Sequence, residues 1–338
     1  MAKKIAIVGF GFMGRTHYAG WKEIKGAKIV ALCDKDLSQF KTVVTGDGDK
    51  KVDTSLDYGD AKLYDDMGKM LEAEKPDIVD ITLPTWLHLP LVEQAFQSGA
   101  NVICEKPMSL DVASCQKMIR AWKASGKHFM IAQCLRFWPE YVYLKNLIDS
   151  GKYGKVVAAS FRRFNISPGW GKNGSWFLNE EKSGGVALDL HIHDTDMVQF
   201  LFGTPKAVTS RATYTDDGAM RYISTIYDVG GPTVIAEGSW GQPPSFGFEA
   251  TFMVSFEKAT VVLDAKRSAP LMVYPMKGEP FQPKLSAKSG YQLELEWFFK
   301  LVSGKKVPVV TTPEACADSV RIVAAEKKSA KTQKTVKL

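Results

Sequence analysis

The sequence predicts a doubly wound α/β domain, followed by an α+β domain whose sheet is open and mostly antiparallel. Short β-rich runs alternate with longer amphipathic stretches from residue 4 to residue 134, whereas the runs after residue 156 alternate apolar with polar positions. A chain of 338 residues, 45% of them hydrophobic, is also longer than one core of ordinary size requires. We therefore expect two domains, at residues 1–124 and 125–338.

The β-rich runs of the first half are apolar almost without interruption. Such strands are buried on both faces, as in a parallel sheet that is covered by helices on either side. The strands predicted here are residues 5–8, 28–33, 77–82, 101–104 and 128–132.

The second half begins with a helix-like stretch at 139–150 and continues with strands of alternating polarity, a pattern typical of antiparallel sheets. A glycine- and tryptophan-rich loop at 167–185 leads into a helical stretch at 186–202, and two further helices, 291–303 and 313–330, are predicted at the end. The predicted strands are residues 156–164, 207–214, 223–229, 233–240, 251–256 and 260–264.

Charge and cysteine usage argue against several classes of protein. The formal net charge is +7, but the final thirteen residues carry five lysines against one glutamate. Without interleaved aromatic residues, this tail favours a solvated end over a nucleic-acid or membrane contact. Five scattered cysteines with no Cys-x-x-Cys spacing indicate neither a disulfide framework nor a zinc site, which suits the cytosol. No apolar run reaches the length of a membrane span.

A glycine motif follows the first predicted strand and opens a predicted helix. In this position G-x-G-x-x-G indicates a Rossmann domain, because the first glycine permits a tight turn, the second admits a pyrophosphate, and the third lets helix and strand pack closely. The N-terminus of the helix adds free N–H groups and a positive dipole end. The predicted cofactor contacts in this run are Gly9, Gly11, Phe12, Met13 and Gly14.

Asp34 ends the second predicted strand, 20 residues beyond Gly14. A carboxylate in that place accepts both ribose hydroxyls of NAD and repels the additional phosphate of NADP. The sequence therefore predicts NAD, with NADP the weaker alternative because the neighbouring Lys35 is able to hold that phosphate.

Two further strands end in polar residues at the edge of the sheet that binds ligands in open α/β folds. Thr82, Pro84 and His88 follow the third strand and are predicted cofactor contacts, although His88 is equally well explained as a polar group at a helix start. Glu105 and Lys106 follow the fourth strand and are predicted to contact the cofactor, with a surface ion pair as the alternative.

A possible acid–base pair lies on the helix predicted at 186–202. Asp189 and His193 are four residues apart and therefore share a helix face. A carboxylate so placed orients the imidazole and stabilises its charged form, which suits a base that works near neutral pH.

Taken together, these motifs resemble the Gfo/Idh/MocA family, which includes glucose-fructose oxidoreductase and inositol dehydrogenase. The resemblance extends over nearly the whole chain. It includes the glycine motif, Thr82 to His88, Glu105-Lys106-Pro107, Arg136 with Pro139, Gly151 with Gly154, Ser183 through Asp189 to His193, and Tyr291 and Glu294 to Ser329.

The resemblance implies an NAD-dependent oxidoreductase that moves a hydride between nicotinamide and a secondary alcohol of a sugar, inositol or related polyol. It implies that Lys106 hydrogen-bonds the reacting hydroxyl, that His193 relays the proton, and that Asp189 orients His193. Arg136 is expected to contact substrate together with these three residues. Two other classes stay open: a glycoside-cleaving enzyme that oxidises its sugar transiently and then eliminates the aglycone, and a non-catalytic dinucleotide sensor.

Tryptophans in the loop at 167–185 are candidates for stacking on a sugar. Trp176 is a predicted substrate contact, and Trp170 is a further candidate, although both are equally well explained as core residues of a long loop. Of Arg162 and Arg163, which alternate along a strand, only one is able to face a ligand.

Two positions depart from the family pattern: residue 85 is Thr where Asn is usual, and residue 191 is His where Gly is common. His191, His193 and Asp194 suggest a metal site, but residues two apart on a helix point in different directions, so no metal is predicted. His191 is expected to border the substrate or to pack in a domain interface. The acidic loop with Asp47, Asp49 and Asp53 lacks the glycine and glutamate spacing of a calcium loop.

The predicted antiparallel sheet has helices for at most one face, so its other face is a candidate interface. In the family such sheets pair. The resemblance therefore implies a homodimer or a homotetramer, with a small-molecule sugar or polyol as the other partner.

Overall fold

A parallel sheet of six strands lies in the first part of the chain. A computed structural model describes residues 2–44, 50–52, 57–168 and 176–338. The strands are β1 (Lys3–Val8), β2 (Ala27–Cys33), β3 (Thr42–Val44), β4 (Lys50–Val52), β5 (Lys62–Tyr64), β6 (Ile78–Ile81), β7 (Asn101–Glu105) and β8 (Phe129–Ala132). The order in the sheet is β5-β2-β1-β6-β7-β8, while β3 and β4 form a separate antiparallel pair.

This strand order confirms the predicted Rossmann topology. The chain moves outward from β1 to β2 and β5, then returns to the other side of β1 with β6. In open α/β sheets, ligands bind where the order reverses, outside the carboxyl ends of the strands. The helices of this part are α1 (Phe12–Lys22), α2 (Met67–Glu74), α3 (His88–Gln97) and α4 (Val112–Ser125).

A second sheet of eight strands follows. Its order is β15-β14-β13-β9-β12-β11-β10-β16, and every neighbouring pair is antiparallel except β9 with β12. This confirms the predicted mostly antiparallel sheet. The strands are β9 (Val156–Ile166), β10 (Ala207–Tyr214), β11 (Met220–Asp228), β12 (Thr233–Gln242), β13 (Glu249–Phe256), β14 (Ala259–Asp264), β15 (Leu271–Pro275) and β16 (Val336–Lys337).

Five further α-helices follow β8 in the described part of the chain. They are α5 (Pro139–Ser150), α6 (Glu180–Ser183), α7 (Ile192–Phe202), α8 (Gly290–Val302) and α9 (Pro313–Thr332), and a wide π-type turn, Ala187–His191, leads directly into α7. The edge strands β15 and β16 were not predicted, because the first lies in a proline- and lysine-rich stretch and the second has two residues.

The chain divides into two compact units, which differ from the predicted boundary at residue 124. The first unit comprises residues 1–134 and 290–317, and the second comprises 135–289 and 318–338. Residue 124 lies inside α4, and β8 pairs with β7 in the first sheet, so the first unit extends beyond it. Helix α8 packs against α1 and therefore joins the first unit from a distant part of the sequence.

All five cysteines are buried, and none of them forms a disulfide. Within the described ranges, no helix combines the length and the apolar composition needed to cross a membrane. The cytosolic location stays a prediction.

Candidate active site

The glycine turn between β1 and α1 has the close packing that the motif predicts. Gly9 has φ +94°, a conformation that L side chains rarely adopt, and an added Cβ would lie 2.7 Å from Cγ of Leu83. A Cβ at Gly14 would collide with the carbonyl oxygen of Gly9. The first and third glycines are thus required by the fold itself.

Gly11 has a different role, since among the described residues no atom lies within 4 Å of the Cβ it would carry. Gly11 is also the N-cap of α1, and no side chain caps the helix there. Phe12 is 59% exposed and Met13 is half-buried, so the first turn of the helix is accessible. Its N–H groups and positive dipole end fit the pyrophosphate of a dinucleotide.

Asp34 lies just beyond the end of β2 and is half-buried. Its Oδ2 accepts a hydrogen bond from the Phe10 amide at 2.7 Å, and its Oδ1 accepts one from the Asp36 amide at 2.9 Å. These bonds fix the carboxylate beside the glycine turn. Each oxygen keeps further accepting capacity for a ribose hydroxyl. The neighbouring Lys35 is exposed.

Thr82 and Pro84 lie at the end of β6, as predicted, and both are half-buried. The Thr82 hydroxyl donates to the carbonyl oxygen of Gly9 at 2.6 Å, which ties this strand end to the glycine turn. His88 differs from its predicted cofactor contact. It is 1% exposed, and its ring nitrogens lie 2.8 Å from the Leu83 carbonyl oxygen and 3.0 Å from that of Pro107. The structure therefore makes it a bridge between two loops.

Glu105 also differs from its prediction as a cofactor contact. It is 6% exposed; its Oε1 lies 3.2 Å from Nε2 of His17, and its Oε2 accepts the backbone N–H of Lys106 at 3.0 Å. Both carboxylate oxygens are therefore engaged inside the first unit. Lys106 itself is half-buried at the carboxyl end of β7, the edge that holds ligands in this fold.

Asp189 and His193 share the accessible face of their helix. Between Val186 and Gln199 they are the two positions that are not buried. Asp189 lies in the π-type turn and His193 in the first turn of α7. Turns of this kind occur frequently at functional sites. The packing of the helix thus presents this pair, and no other side chains of 186–199, outside the core.

His191 points away from that face. It is fully buried, its Nε2 lies 3.2 Å from the Tyr227 hydroxyl and 3.5 Å from Oε2 of Glu326, and its Cβ packs beside Gly238. Burial, followed by the charge of Arg163, lowers the pKa of His191 to about 3. It packs inside the second unit and does not border a substrate. In the described ranges no three His, Cys, Asp or Glu side chains are grouped as metal ligands.

Arg136 does not have the exposure that a substrate contact needs. Arg136 is 3% exposed, and its guanidinium donates two hydrogen bonds of 2.8 Å to the Asp196 carboxylate. The prediction for Arg136 is therefore corrected: its donors are committed to a buried ion pair. Arg163 is likewise buried and paired with Asp194, whereas Arg162 is exposed.

Trp176 is half-buried and stacks on Phe177 with ring centroids 3.9 Å apart. This leaves part of its surface accessible, so its contact with substrate stays a prediction. Trp170, together with Asp47, Asp49 and Asp53 of the acidic loop, lies outside the described residues.

Sequence reasoning missed a buried polar cluster around His17 in the first unit. His17, Asp80 and Glu294 are all 0% exposed and lie with Glu105 between α1, β6, β7 and α8. One signal was present: Asp80 interrupts the apolar run Ile78–Ile81, and a charge inside a buried parallel strand requires a partner.

The fold and these positions define a dinucleotide-binding oxidoreductase class, in which a Rossmann domain is followed by an α+β domain. Family models agree along most of the chain. Residues 3–133 match the oxidoreductase family with an NAD-binding Rossmann fold, and residues 141–269 match the GFO/IDH/MocA C-terminal domain. The chain belongs to the GFO/IDH/MocA oxidoreductase family.

Individual relatives have different activities. The chain is 36% identical over 208 residues to 2,7-anhydro-N-acetylneuraminate hydratase from Mediterraneibacter gnavus (60% of this chain, 50% of the relative). It is 32% identical over 203 residues to D-apiose dehydrogenase from Paraburkholderia graminis (59% of this chain, 50% of the relative). These matches span about half the length of the curated relatives.

Among solved structures, the WlbA dehydrogenase from Bordetella pertussis, in complex with NADH and UDP-GlcNAcA, has a TM-score of 0.85 and 18% identity. The match covers 100% of this chain and 98% of that one. At this identity the likeness shows the fold.

Proposed function

We propose that this protein is an NAD-dependent dehydrogenase that acts on a secondary alcohol of a sugar, inositol or related polyol. The observation that carries the proposal is the exposure of Asp189 and His193 alone on a helix whose other side chains from 186 to 199 are buried. Burying an acid–base pair costs free energy, and leaving this one accessible while its neighbours pack is what a catalytic role requires.

Each of three residues has a proposed task, carried over from the family resemblance. Lys106 donates a hydrogen bond to the reacting hydroxyl and favours the developing alkoxide. His193 accepts the hydroxyl proton, and Asp189 orients its imidazole and stabilises the charge that forms. When NAD is bound, the nicotinamide ring supplies the redox chemistry as a two-electron acceptor for the alcohol carbon.

The test is a substrate panel of inositols, hexoses, pentoses, anhydrosugars and amino sugars, each assayed with NAD and with NADP. NADH formation with at least one polyol or sugar is the expected result. Flat absorbance, with no cleavage of any substrate, would leave the non-catalytic dinucleotide sensor as the better hypothesis.

A second candidate is favoured by one relative, the 36% identical 2,7-anhydro-N-acetylneuraminate hydratase. In this mechanism the same three residues serve a transient oxidation, elimination of a leaving group and reduction of the product. Release of an aglycone, or opening of an anhydro bridge without net NADH, would identify this class. Accumulating NADH identifies the dehydrogenase.

We also propose a preference for NAD over NADP. The hydrogen bonds from Phe10 and Asp36 hold Asp34 with its negative charge beside the glycine turn. A fixed carboxylate repels the 2′-phosphate of NADP and accepts the ribose hydroxyls of NAD.

Finally, we propose that a second copy of the chain covers the open face of the eight-stranded sheet. The opposite face carries Arg163 and Gly238, which contact α7 and the turn before it. Met253 and Ile226 on the open face are 50% and 51% exposed. One row of paired residues crosses seven strands of this face: Met272, Val262, Met253, Ser160, Ile235, Ile226 and Thr209.

An apolar row of this length is a candidate interface. Light scattering is expected to show a dimer or tetramer for the wild type and a smaller species for Ile226→Lys. A wild-type monomer would contradict the proposal.

A further inference from the structure

A buried histidine lies at the centre of the polar cluster in the first unit. Nδ1 of His17 is 2.9 and 3.0 Å from the two carboxylate oxygens of Asp80, and the Trp21 indole donates to Asp80 Oδ2 at 2.6 Å. Nε2 of His17 is 3.2 Å from Oε1 of Glu105. One imidazole thus joins the end of β6 to the end of β7.

Glu105 connects His17 to the backbone of Lys106. Its second oxygen, Oε2, accepts the backbone N–H of Lys106 at 3.0 Å. Glu105 is 6% exposed, so water competes little for its ion-pair contact with His17 or for the hydrogen bond from Lys106. A continuous series of contacts therefore runs from Asp80 through His17 and Glu105 to the backbone of Lys106.

A second buried histidine holds the other side of the same turn. His88 Nδ1 lies 3.0 Å from the carbonyl oxygen of Pro107, the residue that follows Lys106. Its Nε2 lies 2.8 Å from the Leu83 carbonyl oxygen, in the loop that approaches the glycine turn. The backbone N–H of Lys106 therefore bonds Glu105, which contacts His17, and the carbonyl group of the next residue lies beside the His88 imidazole.

The pKa values of the two imidazoles shift in opposite directions. Burial lowers the pKa of His17, but Asp80 and then Glu105 more than offset this, so the pKa lies well above its ordinary value. Burial also lowers the pKa of His88, and the carbonyl oxygens of Leu83, Met108 and Pro107 offset this only in part.

The other titratable groups at His17 are Glu294, from α8, and the Cys104 thiol, behind Glu105. Glu294 Oε1 is 3.9 Å from His17 Nε2, and among the described residues neither of its oxygens has a hydrogen-bond partner. Burial raises the pKa of Glu294 well above its ordinary value, and burial raises that of Cys104 as well. Burial thus disfavours the charged form of both groups, so neither competes with Asp80 and Glu105 as a negative partner of His17.

We propose that His17 and His88 are positioning residues for Lys106, with His17 acting through Glu105 and His88 acting through the carbonyl group of Pro107. The inference rests on the proposed role of Lys106 in the reaction. Neither histidine touches the reacting atoms. Their task is to keep the turn in one place, because small displacements of a catalytic group are costly in rate.

The first experiment needs neither activity nor a variant of the site. The chain has five histidines, so side-chain nitrogen NMR of the labelled protein is able to resolve each imidazole. His17 is expected to remain doubly protonated from about pH 6 to about pH 8, on either side of the ordinary histidine range. A neutral His17 at the upper end of that range would overturn the proposal.

The second experiment distinguishes the loss of the His17–Glu105 contact from a general disturbance of the buried packing around His17. In His17→Asn the amide replaces Nδ1 and keeps the bond to Asp80, while the contact with Glu105 is lost. Glu294→Gln is the matched control, since Glu294 is equally buried beside the same imidazole and the amide has the same size as the carboxyl group.

Crystal structures of both variants are expected to show the Glu105–Pro107 turn displaced in His17→Asn and unmoved in Glu294→Gln. With a substrate from the panel, His17→Asn should lower kcat by about 10- to 100-fold. Its Kd for NADH, measured by fluorescence, should be unchanged, and Glu294→Gln should keep wild-type kcat.

Equal losses in the two variants, or an unmoved turn in His17→Asn, would overturn the proposal. If the wild type turns over no substrate, the proposed function fails. The NMR and crystallographic results would still decide whether the histidines hold the turn.

Discussion

His17 in the first unit and His191 in the second are both fully buried, yet their pKa values shift in opposite directions. The pKa of His17 is raised well above its ordinary value by Asp80 and Glu105, which outweigh burial. The pKa of His191 is lowered to about 3 by burial and by Arg163. Burial lowers the pKa of both histidines, and the charged groups around each one decide whether that shift is outweighed or increased.

The acidic residues near the two histidines are also arranged differently in the two units. In the first unit Asp80, Glu105 and Glu294 gather around one imidazole, and that cluster connects to the turn with Lys106. In the second unit the helix carrying His193 has separate pairs, Asp194 with Arg163 and Asp196 with Arg136. In the proposed mechanism the first arrangement holds the turn with Lys106, whereas the pairs of the second unit anchor the helix that carries His193.

The largest effect is expected for Lys106 and His193, the two residues that are proposed to act on the substrate directly. Lys106→Met and His193→Ala should each lower kcat by about 10² to 10⁴ fold, the range for positioned acid–base groups. Steady-state kinetics with the best substrate of the panel measure this. Wild-type turnover in both variants would contradict the proposed mechanism.

The separate pairs of the second unit can be broken one at a time. Arg163→Met leaves Asp194 buried without its partner and should cost about 3–5 kcal/mol of unfolding free energy in urea. The control is Arg163→Met with Asp194→Leu, an apolar pair that should recover most of the loss. A single variant that unfolds like the wild type would show that the pair does not anchor the helix.

Two buried groups of the second unit, Glu326 and His191, make opposite contributions to the pH dependence of stability. Burial raises the pKa of Glu326 from 4.5 to about 7, although bonds from Tyr227 and Thr195 oppose it. The folded chain therefore keeps a proton that the unfolded chain releases, and rising pH weakens folding across that window. His191 acts in the opposite sense: below its ordinary pKa of 6.5 the unfolded chain takes up a proton that the folded chain refuses, down to about pH 3.

Between about pH 5 and 6 the two contributions cancel in the wild type, since each corresponds to one proton. Glu326→Gln should leave a stability that rises with pH by about 1.4 kcal/mol per unit relative to the wild type, and His191→Gln one that falls by about as much. Urea unfolding at several pH values measures both slopes. Equal slopes in the two variants would refute the opposite pKa shifts of Glu326 and His191.

The smallest effect concerns cofactor choice in the first unit. Asp34→Asn keeps the size and one acceptor but removes the charge, so the ratio of kcat/KM for NAD to that for NADP should fall by about tenfold, equivalent to one charge-assisted hydrogen bond. Lys35→Gln is the control, and should lower only the efficiency with NADP. An unchanged ratio in Asp34→Asn would assign the preference elsewhere.

Several features were predictable because they depend on local spacing. The Gly9 to Gly14 motif predicted the turn, and the observed contacts supply its steric reason. The four-residue spacing of Asp189 and His193 placed them on one face, which agrees with their shared accessibility. The contrast between apolar and alternating strands predicted one parallel sheet and one mostly antiparallel sheet, and this was confirmed.

Other assignments failed because they depend on partners distant in sequence. Arg136 has a type and a position that suit an anionic or hydroxyl contact, but Asp196 occupies its donors. Glu105 and His88 lie beside the expected cofactor edge, yet both are turned into the first unit. Nothing in the local sequence distinguishes a committed side chain from an available one.

The class of fold, the glycine turn and the spacing of Asp189 and His193 follow from the amino-acid sequence alone, because each depends on backbone geometry over a few residues. Which polar side chains are accessible and which are committed to the core depends on the tertiary structure, because their partners are distant in sequence. The opposite pKa shifts of His17 and His191 also depend on it, because a pKa responds to burial and to charges from other strands and helices.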